Sequence, residues 1–476
     1  MLEETFLDKW KEECGIFGVY APGANVANMS YFGLYALQHR GQESAGIAVA
    51  DGKQIDLVKG MGLVSEVFRG GLPTLPGHIS IGHVRYSTTG SSMLVNTQPL
   101  QVSFVGGSMA LAHNGNLVNA KELRIELEKR GSVFQTSIDS EVIVNLIARS
   151  EKESIEDKIV ETMGRLRGAY SLVIMTQDKL IGARDPYGIR PMCIGKLPDG
   201  WVLASESCAL DTIGAELVRD VKPGEMVVID QHGLTSISAI QGRDTALCIF
   251  EFIYFARPDS IIEGLNVQEA RYAMGRQLAR EYKVDADLVI SVPDSGTSAA
   301  LGYSAESGIP YNEGLLKNRY IGRTFIQPDQ KLRDMSVRIK LNAIKPVIQG
   351  KRILMVDDSI VRGTTSGKIV TMLKEAGAKE VHFGVSSPPI THPCFYGIDT
   401  SVRKELVGAT KTVEQIRQFI GADSLHYLSL EGLKKSAPAI EDRLCSACFS
   451  GKYPAEVPDD LEDNKFIFEQ SGGCGC

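Results

Sequence analysis

The chain contains no run of about 18 uninterrupted apolar residues, so no segment reads as a transmembrane helix. It has no polybasic stretch, and its formal net charge is −7, which excludes the electrostatic footprint of a nucleic-acid or membrane-surface binder. Internal repeats and low-complexity tracts are absent too. The first thirteen residues, MLEETFLDKWKEE, carry five acidic and two basic groups and lack the basic start and apolar centre of a secretory signal. These absences point to a cytoplasmic protein, in which the nine cysteines are reduced and a disulfide framework is excluded. Metal binding, catalysis or burial remain for them.

What is present is an ordinary globular composition, 43% hydrophobic and 23% charged, in 476 residues. That length exceeds what one core supports and predicts two or three domains. From Cys14 to about Ile240, short apolar or alternating runs (CGIFGVYA, AGIAVA, SMALAHNG, YSLVIMT, EMVVID) end in Gly, Asp or Asn and read as strands. AKELRIELEKRG and DSEVIVNLIARS carry helical spacing. The pattern predicts an α+β sandwich. From about Arg243 the texture changes. DADLVISVPDSG, KRILMVDDS and EVHFGVSSPP are near-continuous apolar runs, the mark of strands buried on both faces, and TTSGKIVTMLKEAGA lies as a helix between the last two. This is a parallel α/β unit. The division is a leader 1–13, a first domain 14–242, a second domain 243–443 and a C-terminal segment 444–476.

In ILMVDDSIVRGTTS an apolar strand ends in Asp357 and Asp358, and a loop then opens a helix. Open parallel sheets bind ligands at the carboxyl ends of their strands. A helix start offers N–H groups and a positive dipole end, so a phosphate fits at Gly363, Thr364, Thr365 and Ser366, with Arg362 beside it. The two acids repel phosphate and suit sugar hydroxyls, or Mg²⁺ shared with a pyrophosphate. Strand, acid pair and loop together resemble the signature of the type I phosphoribosyltransferases. The loop SVPDSGTSAALGY supports the resemblance, which implies that it meets the pyrophosphate and that Ser295 reaches the metal. The basic segment KNRYIGRTFIQPDQKLR, taken alone, is a solvated loop. Beside a polyphosphate site it reads as a lid carrying Arg319, Arg323 and Lys331.

Cys14, taken alone, is a core residue. However, QHRGQESAGIAV, GHVRYSTTG, AHNGNLVNA and SIDSE follow it, and in this order they resemble the motifs of the N-terminal-nucleophile glutamine amidotransferases. The resemblance implies an αββα sandwich with Cys14 as nucleophile. It implies Asn114 and Gly115 as oxyanion donors, Arg85 on the substrate carboxylate, Asp139 on the amino group, and Arg40 and Gly41 as further wall positions. A terminal cysteine carries its own base, an α-amino group of pKa about 8. MLEETFLDKWKEE therefore reads as a propeptide cut between Glu13 and Cys14. His39, His83 and His113 read as structural members of their motifs.

RLCSACFSGKYP holds Cys445 and Cys448 in C-x-x-C spacing, with no second such pair to close a four-thiolate site. A redox dithiol or two buried thiols remain possible on spacing alone, which also does not separate zinc from iron–sulfur. A glutaminase joined to a phosphoribosyltransferase resembles the amidophosphoribosyltransferase family. That resemblance implies one Mg²⁺ and, for the branch with a propeptide, one [4Fe–4S] cluster per subunit held by Cys248, Cys394, Cys445 and Cys448. It leaves Cys193 and Cys208 in the core and Cys474 and Cys476 in the tail. It further implies glutamine and 5-phosphoribosyl 1-diphosphate as substrates, purine nucleotides as feedback inhibitors, and a homotetramer. Two alternatives share part of the pattern. A hexosamine-phosphate synthase or asparagine synthetase shares the glutaminase half but has no phosphoribosyl loop. A diphosphate-sensing regulator would need a DNA-binding module.

Overall fold

The computed structural model describes residues 14–71, 75–87, 90–318, 341–398, 403–457 and 468. The leader, the expected lid with Arg319, Arg323 and Lys331, and Cys474 and Cys476 lie outside the described residues.

The alternating runs of the first half form β1 (Gly15–Tyr20), β2 (Ser44–Ala50), β3 (Ile55–Met61), β4 (Ile79–Arg85), β5 (Leu100–Phe104), β6 (Gly107–Leu117) and β7 (Gly168–Met175). They continue with β8 (Leu180–Arg184), β9 (Cys193–Leu197), β10 (Gly200–Ala204), β11 (Glu216–Asp220), β12 (Glu225–Asp230) and β13 (Gly233–Ser238). One sheet has the order β11-β9-β10-β1-β4-β2-β3, the other β13-β12-β8-β7-β6-β5. Ile16, Ile81, Ala112, Val173, Leu203 and Val227 fill the space between them. On the far side of the first sheet the helix Val26–Ala36 packs through Leu34. The helices Ala120–Lys129, Ser140–Arg149 and Ile155–Met163 cover the second sheet with Leu123, Ile143, Ile147 and Ile159. In Ser140–Arg149 the apolar residues recur at helical spacing, with Glu141 in the first turn and Arg149 in the last, matching the helix dipole. The result is an α–β–β–α sandwich.

The second half adds β14 (Leu247–Cys248), β15 (Ile261–Ile262), β16 (Leu265–Asn266), β17 (Leu288–Ser291), β18 (Leu315–Lys317) and β19 (Leu341–Ala343). It ends with β20 (Arg352–Asp357), β21 (Glu380–Val385), β22 (Ser424–Tyr427) and β23 (Leu444–Cys445). The order β17-β20-β21-β22 is parallel throughout. Period-two alternation sends successive side chains to opposite faces. Val289, Leu354 and Val356 pack with Met274, Leu278, Ala299 and Tyr303 of the helices Val267–Glu281 and Thr297–Ser307. Ile290, Ile353 and Met355 pack with Ile369, Leu373 and Ile416 of the helices Thr364–Glu375 and Val413–Ile420.

The halves share a core. Val118, Ala169 and Ile189 of the sandwich belong to the same apolar cluster as Leu247, Phe250 and Phe252 of the junction and Ile390 and Tyr396 of the second half. β14 and β23 pair in parallel, Cys248 opposite Cys445, so the junction also meets the C-terminal segment.

Candidate active sites

Antiparallel pairing of β1 with β4 sets Gly15 opposite Val84, which brings Cys14 beside Arg85 at the end of the sheet. Cys14 is buried, and its thiol donates to the carbonyl of Tyr86 at 3.2 Å. Burial pushes this thiol up to about 11, against the lowering effects of the Tyr86 contact and the Arg85 charge. Glu43 and Asp139 add to the rise. As it stands the thiol holds its proton at neutral pH and needs a base. The Arg85 guanidinium is buried, donates to the carbonyls of Ser91 (3.2 Å) and Gly90 (3.4 Å), and lies 3.8 Å from Glu43.

The opposite sheet contributes β6. Asn114 is 1% exposed, and its Nδ2 has no hydrogen-bond partner among the described residues. Such an orphaned buried donor is costly, about 1–3 kcal/mol, unless a ligand takes it. At Gly115 φ is +144°, and a Cβ would stand 2.1 Å from the carbonyl oxygen of Ala169, so only glycine fits. Asp139 begins the helix Ser140–Arg149 without capping it. Its Oδ2 instead accepts from the Leu117 amide at 3.0 Å, and its Oδ1 is 3.6 Å from Nδ1 of His113. Burial alone would raise this carboxyl. His113 and the hydrogen bonds from the Leu117 and Ser140 amides outweigh it, so Asp139 is held below the usual range.

His83 donates through Nε2 to the carbonyl of His113 at 3.1 Å, and burial drives its pKa down to about 3, so the ring is neutral. His39 joins Glu206 at 2.7 Å. Arg40 stands behind Cys14 rather than on an open wall. Its Nε donates to the Cys14 carbonyl at 3.2 Å, and its other nitrogens donate to Glu206 (2.6 Å) and Glu251 (2.7 and 2.9 Å). Gly41 packs on β4, where a Cβ would meet the backbone of Val84 at 2.6 Å.

In the second half β20 delivers Asp357 and Asp358, 3% and 1% exposed, to the carboxyl edge of the sheet. Ser295 donates its hydroxyl to Oδ2 of Asp358, Ser359 donates to Oδ1 at 2.5 Å, and the Asp358 amide donates to Asp357 at 2.9 Å. The loop after β17 therefore touches the loop after β20, as a shared ligand requires. Gly363, at φ +83°, turns the chain into the helix Thr364–Glu375 and has no side chain with which to cap it; Thr365 and Ser366 are buried in its first turn. Arg362 is ion-paired with Glu405, Nε to Oε2 at 3.0 Å.

A third site lies at the junction. Cys248, Cys394, Cys445 and Cys448 line one cavity with Arg190 and Tyr396. Cys248 and Cys445 face each other across the β14–β23 pair, and the Tyr396 amide donates to the Cys394 sulfur at 3.4 Å. The Cys448 carbonyl accepts from the amides of Thr391 and His392. Burial, with Cys394 adding to it, pushes the Cys445 thiol up to about 12. Among the described residues no group of three or more His, Cys, Asp or Glu is placed to hold a metal ion. The sulfurs stand around a cavity, with no carboxylate or imidazole on its wall.

Residues 83–212 match the glutamine amidotransferase domain family. Over 455 residues the chain is 52% identical to the amidophosphoribosyltransferase of Bacillus subtilis (strain 168), covering 94% of this chain and 95% of that protein. The chain belongs to the amidophosphoribosyltransferase family. The Synechocystis sp. member is 53% identical over 470 residues, with 97% and 95% covered. Two solved structures superpose on nearly the whole chain. One is the B. subtilis glutamine phosphoribosylpyrophosphate amidotransferase complexed with ADP and GMP, with TM-score 0.89, 51% identity, and 94% and 98% covered. The other is described as the allosteric regulatory enzyme of purine biosynthesis, with TM-score 0.91, 51% identity, and 95% and 99% covered. The two halves described above are thus the family's N-terminal-nucleophile sandwich and its phosphoribosyltransferase sheet.

Within this amidophosphoribosyltransferase fold, Arg85 and Asp139 come close enough to Cys14 to act on its thiol electrostatically. Sequence reasoning passes over Glu43, Glu206, Glu251 and Arg190. Glu251 does leave a trace, as a single acid inside the apolar run CIFEFIYF.

Proposed function

We propose that this enzyme hydrolyses glutamine at Cys14 and passes the ammonia internally to Mg-bound 5-phosphoribosyl 1-diphosphate, giving 5-phosphoribosylamine, glutamate and pyrophosphate. The unpartnered Nδ2 of buried Asn114 carries the first half of this reading. Removal of residues 1–13 frees the Cys14 α-amino group, which takes the thiol proton as sulfur attacks the side-chain amide carbon. The carbonyl oxygen becomes an oxyanion facing Asn114 Nδ2 and the Gly115 N–H. Collapse expels ammonia, and water then cleaves the thioester to release glutamate. Arg85 binds the substrate carboxylate as a bidentate pair, and Asp139, held ionised, receives its ammonium group. Arg40 and Gly41 support the wall.

In the second half the 5-phosphate sits at Gly363, Thr364, Thr365 and Ser366, with Arg362 exchanging Glu405 for phosphate, and Arg319 and Arg323 close over the diphosphate. Asp357, Asp358 and Ser295 form a contiguous set of hard oxygen donors that would hold Mg²⁺, and the ion would supply neutralising charge to the departing pyrophosphate. Ammonia attacks the anomeric carbon as the C–O bond to pyrophosphate breaks. Placement and charge stabilisation supply most of the acceleration.

The four cysteines are a soft, all-thiol donor set around one cavity, a set that suits zinc or an iron–sulfur cluster, and the resemblance to the propeptide-bearing branch of the family favours a [4Fe–4S] cluster. Its role is structural, since the reaction moves no electrons. Purine nucleotides act as feedback inhibitors and the working form is a cytoplasmic homotetramer. One observation supports the nucleotide reading: the B. subtilis relative was solved with ADP and GMP.

The deciding experiment measures anaerobic glutamate release with and without Mg-bound phosphoribosyl diphosphate. Release that rises strongly with the diphosphate is the expected result. No release from protein shown by mass to begin at Cys14 would overturn the proposal.

A further inference from the structure

Two paths lead from the glutaminase site to the segment Cys394–Ile398, the first of them buried and the second partly buried. The first runs behind the nucleophile. Arg40 Nε holds the Cys14 carbonyl at 3.2 Å and grips Glu251 with two nitrogens, at 2.7 and 2.9 Å. Oε1 of Glu251 lies 3.9 Å from Nη1 of Arg190, and Arg190 donates Nε (3.0 Å) and Nη2 (2.5 Å) to the Tyr396 carbonyl. The Tyr396 amide in turn donates to the Cys394 sulfur. The side chains of Arg40, Glu251 and Arg190 are all 0% exposed. The second path runs behind the oxyanion donors. Asn116 donates Nδ2 to the Phe395 carbonyl at 3.0 Å, and Gly397 packs so closely on Gly115 that a Cβ would lie 3.3 Å from the Gly115 carbonyl carbon.

Buried ion pairs are a poor route to stability, because packed apolar residues of the same volume do as well or better. A row of three charged side chains, closed to water and joined end to end, fixes relative position instead. Both paths meet on one segment, and its first residue is one of the four cavity cysteines.

We propose that Cys394–Ile398 is a strut through which the state of the four-cysteine cavity sets the alignment of Cys14 and of the oxyanion donors, with Glu251, Arg190 and Asn116 as its positioning residues. The proposal rests on the glutaminase reading of Cys14 and the cluster reading of the cavity. With the cavity filled, Tyr396 is anchored at its sulfur side, Arg190 is fixed, and Glu251 holds Arg40 against the Cys14 carbonyl. With the cavity emptied, the segment loses its anchor and both sets of catalytic groups drift together, although neither touches the cavity.

The test uses processed full-length protein of measured iron and sulfide content, before and after ferricyanide oxidation, as wild type, Glu251→Gln and Asn116→Ala. Three quantities are read: the rate at which a glutamine-derived chloroketone alkylates Cys14 (by peptide mass), the kcat and KM for glutamine, and ammonia-dependent phosphoribosyl transfer. Emptying the wild-type cavity is expected to slow alkylation tenfold or more. Glu251→Gln should show the same loss with the cavity filled, with kcat reduced, KM changed less than threefold, and ammonia-dependent transfer within twofold of wild type. Oxidation of the variant should add nothing further, since the two perturbations act on one coupled element. Independent losses that multiply, or alkylation equally fast in filled and emptied wild type, would overturn the strut. If Glu251→Gln loses ammonia-dependent transfer as well, Asn116→Ala and the wild-type comparison decide by the same criteria. Absence of Cys14 alkylation in every sample would instead refute the glutaminase reading.

Discussion

Replacing Asn114 by leucine separates catalysis from stability, because the structure predicts opposite signs for the two. The side chain is 1% exposed and its Nδ2 meets no partner among the described residues, while the backbone stays paired with Ser171 on β7. A buried, unsatisfied donor costs about 1–3 kcal/mol, and leucine removes it while keeping the number and branching of the side-chain heavy atoms. Stability against denaturant should therefore hold or rise by up to that amount. The same donor, aimed at a developing oxyanion, contributes about 10²–10³ in rate, or about 2.7–4 kcal/mol of barrier. Asn114→Leu should lose glutamine-dependent turnover by that factor while ammonia-dependent transfer continues. The assay compares both activities in one preparation and follows the urea midpoint at constant slope. Glutamate release within threefold of wild type would refute the oxyanion role. A lower midpoint with both activities reduced together would show that Asn114 is a structural residue.

Glutamine hydrolysis should rise with pH through about 8, the range of an α-amino group, rather than through the value of about 11 to which burial pushes the Cys14 thiol; a kcat/KM profile decides it. Asp358→Asn should abolish transfer from either ammonia source while leaving the basal glutamate release seen without diphosphate, because Asp358 binds the loop of Ser295 in the second half. Cys445→Ser should lower iron and sulfide content in anaerobic preparations; unchanged content would remove this cysteine from the proposed ligand set. Burial, reinforced by Glu263, raises the Asp220 carboxyl to about 6. The folded state then holds the proton more tightly than the unfolded chain, whose pKa is about 4, so stability falls as pH rises between these values and stays lost above them. Asp220→Asn should melt higher than wild type at pH 8, with the difference vanishing near pH 4; equal melting at pH 8 would contradict this.

Much of this architecture is readable in the chain because its signals are local. The strand, acid pair and loop from Ile353 to Ser366 occupy fourteen consecutive residues, and each carries its own physical cue. Period-two alternation marks the sandwich strands for the same reason. The network around Arg40 is not local. Its two carboxylates lie 166 and 211 residues further along the chain, and nothing beside Arg40 in sequence announces them. A resemblance-based reading names Arg40 as a wall position, but the carboxylates that hold its side chain there, Glu206 and Glu251, emerge only in the folded chain. Asp139 shows a subtler gap. An acid before a helix reads as a cap, yet its side chain turns to the Leu117 amide, because β6 ends within its reach.

The apolar cluster that joins Val118, Ala169 and Ile189 to Phe250, Phe252 and Tyr396 bears on how such enzymes can be recombined. Domains strung on a linker are interchangeable parts, and either can be transplanted with its neighbour left behind. Here the seam is itself interior, so a graft cut between the two halves would leave apolar surface on both pieces. A chimera that keeps this interior closed must inherit both sides of the seam from one parent: the stretch Leu247–Ala256, the segment around Tyr396, and the sandwich residues they bury. The heritable unit in this chain is then the junction, with a half-enzyme hanging from each side of it.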